Sequence, residues 1–217
     1  MHRHLATVFG LLLVLLLAAP SFADVEPHGG LFRDPDVSAT HVVFVYAGDL
    51  WVVPREGGTA QPLASPPGDE SRPKFSPDGK AVAFLGAYDG PSEIYTVPTE
   101  GGVPHRVTWH PAEERLTDWL TDGDLIFHSR GMEGLSRQSK LYRVSAKGGM
   151  PRRVGVPYGA WGAIDGDWLA YTPMDSEPPA WKRYRGGRAA DVWLYHLKEG
   201  RSKRLTDWEG TDSRPVW

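Results

Sequence analysis

A chain of 217 residues always contains serine, histidine and aspartate, and a hydrolase needs them in particular settings. No Gly-x-Ser-x-Gly sequence is present to lift a serine onto a strained turn as a nucleophile. No His-Glu-x-x-His pair is present for zinc, and no glycine loop of the phosphate-cradling kind. Cysteine is absent, which removes thiolate nucleophiles, thiolate metal sites and disulfides. Asp122 and Asp124 flank Gly123, as calcium ligands sometimes do, but the rest of a calcium loop is missing and a turn accounts for them. Two basic features remain. One is Trp181-Lys-Arg-Tyr-Arg-Gly-Gly187 with Arg188, four cations among two aromatics. The other is Arg115, beside Glu113 and Glu114, which reads first as a rim salt bridge. Cations interleaved with aromatics suit single-stranded nucleic acid in principle. The chain is acidic, with net charge −3, and nucleic acid and anionic lipid are poor partners for it. The aromatics of the 181–188 segment are better employed packing it down, with the arginines on carboxylates or carbonyls.

Any such group must be positioned by repeated elements. Asp191-Val-Trp-Leu-Tyr195, Glu199-Gly200 and Lys203-Arg-Leu-Thr206 form the fourth copy of one pattern. Its aromatic residue falls at Trp51, Tyr95, Tyr142 and Trp193, in steps of 44, 47 and 51. The aliphatic residue after the glycine turn falls at Leu63, Val107, Val154 and Leu205, in the same steps. Two positions drifting together mark a repeat, and this period suits a four-stranded propeller blade. Gly57-Gly58, Gly101-Gly102 and Gly148-Gly149 lie at blade period and are hairpin corners. So are Ser76-Pro-Asp-Gly79, Asp122-Gly123 and Asp165-Gly166, where Gly accepts the left-handed conformation.

The expected fold is all-β: four four-stranded blades, over about 30–69, 70–114, 115–161 and 162–212, with 213–217 opening a fifth. Expected strands in the second blade run over 72–75, 81–85, 93–97 and 105–109. The fourth blade is the longest, and the excess lies at about 174–190, between its second and third strands. Asp212-Ser-Arg-Pro-Val-Trp217 repeats Glu70-Ser-Arg-Pro-Lys-Phe75, so the chain reads as the front portion of a longer protein.

The first 23 residues stand apart. His2-Arg3-His4 is a short basic segment, Leu11-Leu-Leu-Val-Leu-Leu-Leu17 an apolar centre, and Ser21-Phe-Ala23 has the small residues that a signal peptidase reads. The apolar run falls short of the roughly 20 residues that span a bilayer, which disfavours an anchor. Cleavage after Ala23 and a periplasmic or secreted location are expected, leaving 23 Lys+Arg against 27 Asp+Glu.

Asp49-Leu-Trp51, Phe75-Ser-Pro-Asp-Gly79, Trp181-Lys-Arg-Tyr-Arg-Gly-Gly187 and Thr211-Asp-Ser-Arg-Pro-Val-Trp217 resemble the amino-terminal propeller of tricorn proteases, including bacterial homologues. The Ser-Pro-Asp-Gly corner is shared with TolB-like propellers and those of prolyl-oligopeptidase-type enzymes, whereas the 181–187 insertion is more specific. The resemblance covers about 30–217. It implies a six-bladed first propeller, then a second propeller and a peptidase core with a PDZ-like domain. The catalytic serine and histidine would lie in that core, so this chain is expected to hold no catalytic residue, metal or cofactor. Its partners would be unfolded peptides or oligopeptides, and the parent a homo-oligomer. Archaeal relatives hold a peptide's terminal carboxylate with basic residues near Arg115, which makes Arg115 a substrate-binding candidate. A TolB-like periplasmic binding propeller without protease activity is the alternative. A propeller enzyme with a metal in its central channel is a third reading, weakened by the absence of Asn.

Overall fold

A computed structural model describes residues 27–64, 66–134, 137–175, 186 and 189–217. The propeller unit begins at Leu31. Among the described residues there is no α-helix, only a single 3-10 turn at Gly29–Leu31 ahead of sixteen strands. They are β1 (Phe32–Val37), β2 (His41–Tyr46), β3 (Asp49–Pro54) and β4 (Gln61–Ala64) in the first sheet; β5 (Glu70–Phe75), β6 (Ala81–Gly86), β7 (Glu93–Pro98) and β8 (His105–Arg106) in the second; β9 (Glu114–Trp119), β10 (Asp124–Ser129), β11 (Lys140–Ser145) and β12 (Arg152–Arg153) in the third; and β13 (Ala160–Asp165), β14 (Trp168–Thr172), β15 (Trp193–His196) and β16 (Ser202–Arg204) in the fourth. Within every sheet the spatial order follows the chain and all pairings are antiparallel.

The sheets are blades because their central strands are apolar on both faces. In β6, Val82 and Phe84 pack with Val43, Val45, Leu50 and Leu63 of the first sheet. Ala83 and Leu85, pointing the other way, pack with Leu116, Leu125 and Phe127 of the third. In β10 the alternation repeats: Leu125 and Phe127 face the second sheet, and Ile126 joins Leu169 and Tyr171 of the fourth. A strand with period-two side chains and both faces covered is apolar at successive positions, as 82–85 of β6 and 125–127 of β10 are. The repeat aromatics pair across strands in one register: Phe44 with Trp51, Phe84 with Tyr95, Phe127 with Tyr142, Tyr171 with Trp193.

The Ser76-Pro-Asp-Gly79 corner closes as expected. Gly79 N donates to Ser76 O at 2.8 Å, Ser76 Oγ donates to Asp78 Oδ1 at 2.6 Å, and Gly79 has φ 70°. At the equivalent corner Asp122 and Asp124 bind Arg143, so these aspartates brace a turn.

The outermost strands are shorter than expected, with β8 and β12 two residues each. After Arg106 the chain turns inward, burying Val107 and bonding Val107 N to Ile94 O at 2.8 Å. The innermost strands are longer than expected. Glu114 and Arg115 both lie on β9, with Glu114 fully buried. The residues from 213 on form no strand, yet Arg214 has φ 57°, matching φ 52° at Arg72 in the repeat copy.

Candidate functional site

The innermost strand of each blade carries a β-bulge opposite an aromatic residue of the second strand. Asp34-Pro35 face Phe44, Arg72-Pro73 face Phe84, and Trp161-Gly162 face Tyr171. In β9 the register slips by one at Thr117, whose hydroxyl donates to Gly162 O of the next blade at 2.8 Å. Bulges turn a side chain out of the regular alternation. Among the described residues, five non-glycines have positive φ: Asp34, Arg72 and Trp161 at these bulges, Arg214 near the end of the chain, and Ala47 in a hairpin. The left-handed region is costly for Arg and Trp, and such strain concentrates where a site is being built. Gly162 is required for a separate reason. A Cβ there would lie 2.9 Å from Leu141 Cδ2 and 3.0 Å from Ile126 Cδ1.

These bulges bring together residues far apart in sequence. The Arg72 guanidinium lies 4.5 Å from the Trp161 ring centre and that of Arg214 4.7 Å. His128 of β10 meets the same indole edge-on, with ring centres 4.9 Å apart. Trp161 and His128 are both buried, and neither Trp161 Nε1 nor His128 Nε2 has a hydrogen-bond partner among the described residues. Burial drives the His128 pKa well below its ordinary value, and the charges of Arg115, Arg72 and Arg130 add to this against the opposing pull of Asp175. His128 is therefore neutral at physiological pH. Arg130 pairs with Asp175 at 3.1 Å.

Arg115, the candidate from the sequence, stands opposite His128 in the β9–β10 register, and its charge reaches the same cluster. Its Nη2 donates to Glu113 Oε1 at 2.9 Å. Trp181-Lys-Arg-Tyr-Arg-Gly-Gly187 lies outside the described residues except for Gly186. So does the segment 1–23; among the described residues no helix is long and apolar enough to cross a membrane. Among them also, no group of three or more His, Cys, Asp or Glu is placed to hold a metal ion.

The sequence reading passed over two buried carboxyls that fasten one blade to the next. Glu70 Oε2 accepts from Leu50 N of the first sheet at 3.0 Å and its Oε1 from Tyr88 Oη at 2.7 Å. Glu114 Oε2 accepts from Thr108 Oγ1 at 2.5 Å, and that hydroxyl accepts from Ile94 N at 2.9 Å. Burial raises both pKa values to about 7. Their separation of 44 residues, one repeat step, was the available signal. The bulge residues also left a trace, since Asp34, Arg72 and Arg214 each precede proline.

Consecutive four-stranded meanders packed face to face, with bulged inner strands carrying charged and aromatic side chains, define a β-propeller. Residues 29–217 match the tricorn protease N-terminal β-propeller domain, and the chain belongs to that family. Tricorn protease homolog 1 of Streptomyces coelicolor is 31% identical over 206 residues, covering 92% of this chain and 18% of the relative. The tricorn protease of Thermoplasma acidophilum is 27% identical over 208 residues, covering 88% and 19%. Among solved structures, a crystal structure of the tricorn protease superposes with TM-score 0.76 at 23% identity, covering 86% of this chain and 19% of that one. A putative TolB from Agrobacterium tumefaciens gives 0.66 at 19% identity, covering 85% and 65%. The chain thus spans less than a fifth of the length of these tricorn relatives.

Proposed function

We propose that this chain is the non-catalytic propeller portion of an exported, tricorn-like serine protease, which gates or channels peptides toward a catalytic core elsewhere in the protein. The observation that carries this is family membership over 29–217 in a chain that spans less than a fifth of its tricorn relatives. The cationic and aromatic side chains on the inner strands support it, because a wall that handles peptides needs polar grip without a reaction centre. Arg115, beside that cluster, remains the proposed contact for a peptide's terminal carboxylate. Assembly of the whole protein into a homo-oligomer belongs to the same proposal.

A fluorophosphonate probe is expected to label a serine of the whole protein outside residues 24–217, in a preparation that hydrolyses oligopeptides. Labelling of a serine within 24–217 would overturn the assignment. The second reading, a TolB-like binding propeller without a protease, is favoured by the TolB superposition. It predicts no labelled serine and no hydrolysis by the whole protein.

Export rests on residues 1–23. Mass spectrometry of the exported protein should find the mature terminus at Asp24. Retention of those residues would point to an anchor instead.

A further inference from the structure

We propose that the cleft between the second and third blades, lined by Val97, Val103, Trp119 and Lys147, is a binding site for a small carboxylate with an apolar body. The proposal does not depend on the peptide-handling reading above.

The cleft has a volume of about 660 Å³, within the roughly 300–1,000 Å³ of small-molecule sites. One wall comes from the second blade, around β7 and His105. The other comes from the ends of β9 and β11 and the corner at Asp122-Gly123. Arg115 and His128 lie at the opposite ends of β9 and β10, so the cleft is separate from the inner cluster.

The repeat shows how the space arises. Between the first and second blades the same corner is filled. A Cβ on Gly79 would lie 3.4 Å from Ser38 Cβ of the first blade, and Thr99 Oγ1 donates to Gly79 O at 2.8 Å. One repeat on, a Cβ on Gly123 would meet nothing within 4 Å, and Ala146 stands where Thr99 does. The residue before the Gly-Gly corner changes too, from Glu100 to Lys147. The third blade has lost a hydroxyl and an acid at this end and gained an open corner and a cation.

The lining decides the ligand. Val97, Val103 and Trp119 offer apolar surface, and Val103 is 90% exposed. Covering such surface with an apolar body is favourable. The charged or titratable groups of the lining are Lys147, His105 and Asp122. Asp122 is engaged, accepting from Arg143 at 2.5 Å and from the Asp124 N–H at 3.1 Å. Among the described residues, the Lys147 ammonium and the His105 ring have no partner. An ammonium only donates, and an anionic acceptor matches it best. A cation would be repelled. A peptide segment would lay a run of backbone amides against apolar side chains, which is costly. A compact body with one terminal carboxylate avoids that cost.

The test uses the whole protein and three ligands with one body: 4-phenylbutyrate, 4-phenylbutyramide and 4-phenylbutylammonium, titrated by calorimetry. The carboxylate is expected to bind about fivefold more tightly than the amide, the upper scale of one exposed ion pair. The ammonium should bind more weakly still. Lys147→Met should erase the preference for carboxylate over amide. Ala146→Leu, which fills the cleft, should weaken all three. Lys198→Met, at an exposed lysine of the fourth blade, should leave affinity and preference intact. Thermal melts without ligand check the folding of each variant. Lys147 is exposed, and its variant decides alone should Ala146→Leu fail to fold. Equal affinity for the three ligands overturns the site. So does a carboxylate preference that survives Lys147→Met, because binding would then lie elsewhere in the protein. Tighter binding of acetyl-Ala-Ala-Phe, with its free carboxy-terminus, than of 4-phenylbutyrate would overturn the small-molecule assignment in favour of a peptide end.

Discussion

Phe127→Ala is expected to destabilise the propeller by about 3–5 kcal/mol, the range for removing a buried aromatic ring. Phe127 is fully buried in β10 and stacks on Tyr142 with ring centres 5.5 Å apart. Its other neighbours in the core include Ala83, Leu85 and Ile94 of the second blade. The cavity would open at the seam between two blades, where collapse requires whole sheets to shift. Repeat stability is roughly the sum of unit and interface contributions, so a weakened interface is felt across the array. The loss would consume a large share of a typical net stability of about 5–15 kcal/mol. Urea denaturation of the variant beside the parent measures it. Trp109→Ala, which removes an exposed ring lying over Arg106, should change stability by no more than about 0.5 kcal/mol. Comparable losses in the two variants would contradict the placement of the core.

Stability is also expected to fall as pH rises from about 4.5 to about 7. Burial raises Glu114 from 4.5 to about 7, so the folded state binds a proton that the unfolded state releases. The contribution is complete below the unfolded pKa and is lost as pH rises through the folded one. At 1.36 kcal/mol per pH unit, this window corresponds to about 3 kcal/mol for Glu114. The physical cause is plain: Thr108 donates to Oε2, while Oε1 is buried with no partner, and the proton relieves a charge that one hydrogen bond cannot compensate. Glu70 shifts in the same direction by burial and adds to the slope, though its bonds from Tyr88 and Leu50 favour the ionised form. Glu114→Gln should flatten much of the dependence. Denaturation midpoints at pH 5, 6 and 7 decide it. A wild-type profile rising over that window would show that Glu114 is ionised and satisfied.

The blades were legible because their signals are local. Phe44, Phe84 and Phe127 stand opposite Trp51, Tyr95 and Tyr142 in alternating strands, and the Ser-Pro-Asp-Gly corner carries its own turn chemistry. Strand ends were less legible. Whether β8 stops at Arg106 depends on Val107 finding a pocket between sheets, which is a tertiary event. The cluster was hardly legible at all. Nothing local announces that Arg72, His128, Trp161 and Arg214 meet, because two bulges, a strand register and the positive φ at Arg214 place them. Arg115 was singled out from the resemblance and lies opposite His128, while Trp161 carries no signal in the sequence that sets it apart from the other tryptophans. Glu114 reads in the sequence only as a neighbour of Arg115, and its place at the start of the inner strand buries it.

The connection lengths within the sheets have a kinetic consequence. Because each sheet is assembled from strands in chain order, its pairings can form as soon as the strands exist, without waiting for distant parts of the chain. The second-to-third strand connection has 2 residues in the first sheet, 6 in the second, 10 in the third and 20 in the fourth. Each doubling of a flexible loop adds about 0.6 kcal/mol to closure, so the fourth sheet closes against about 1 kcal/mol more than the second. Sheets one to three can therefore form in the order of synthesis, and the pairing of β14 with β15 is the step that lags behind the emerging chain.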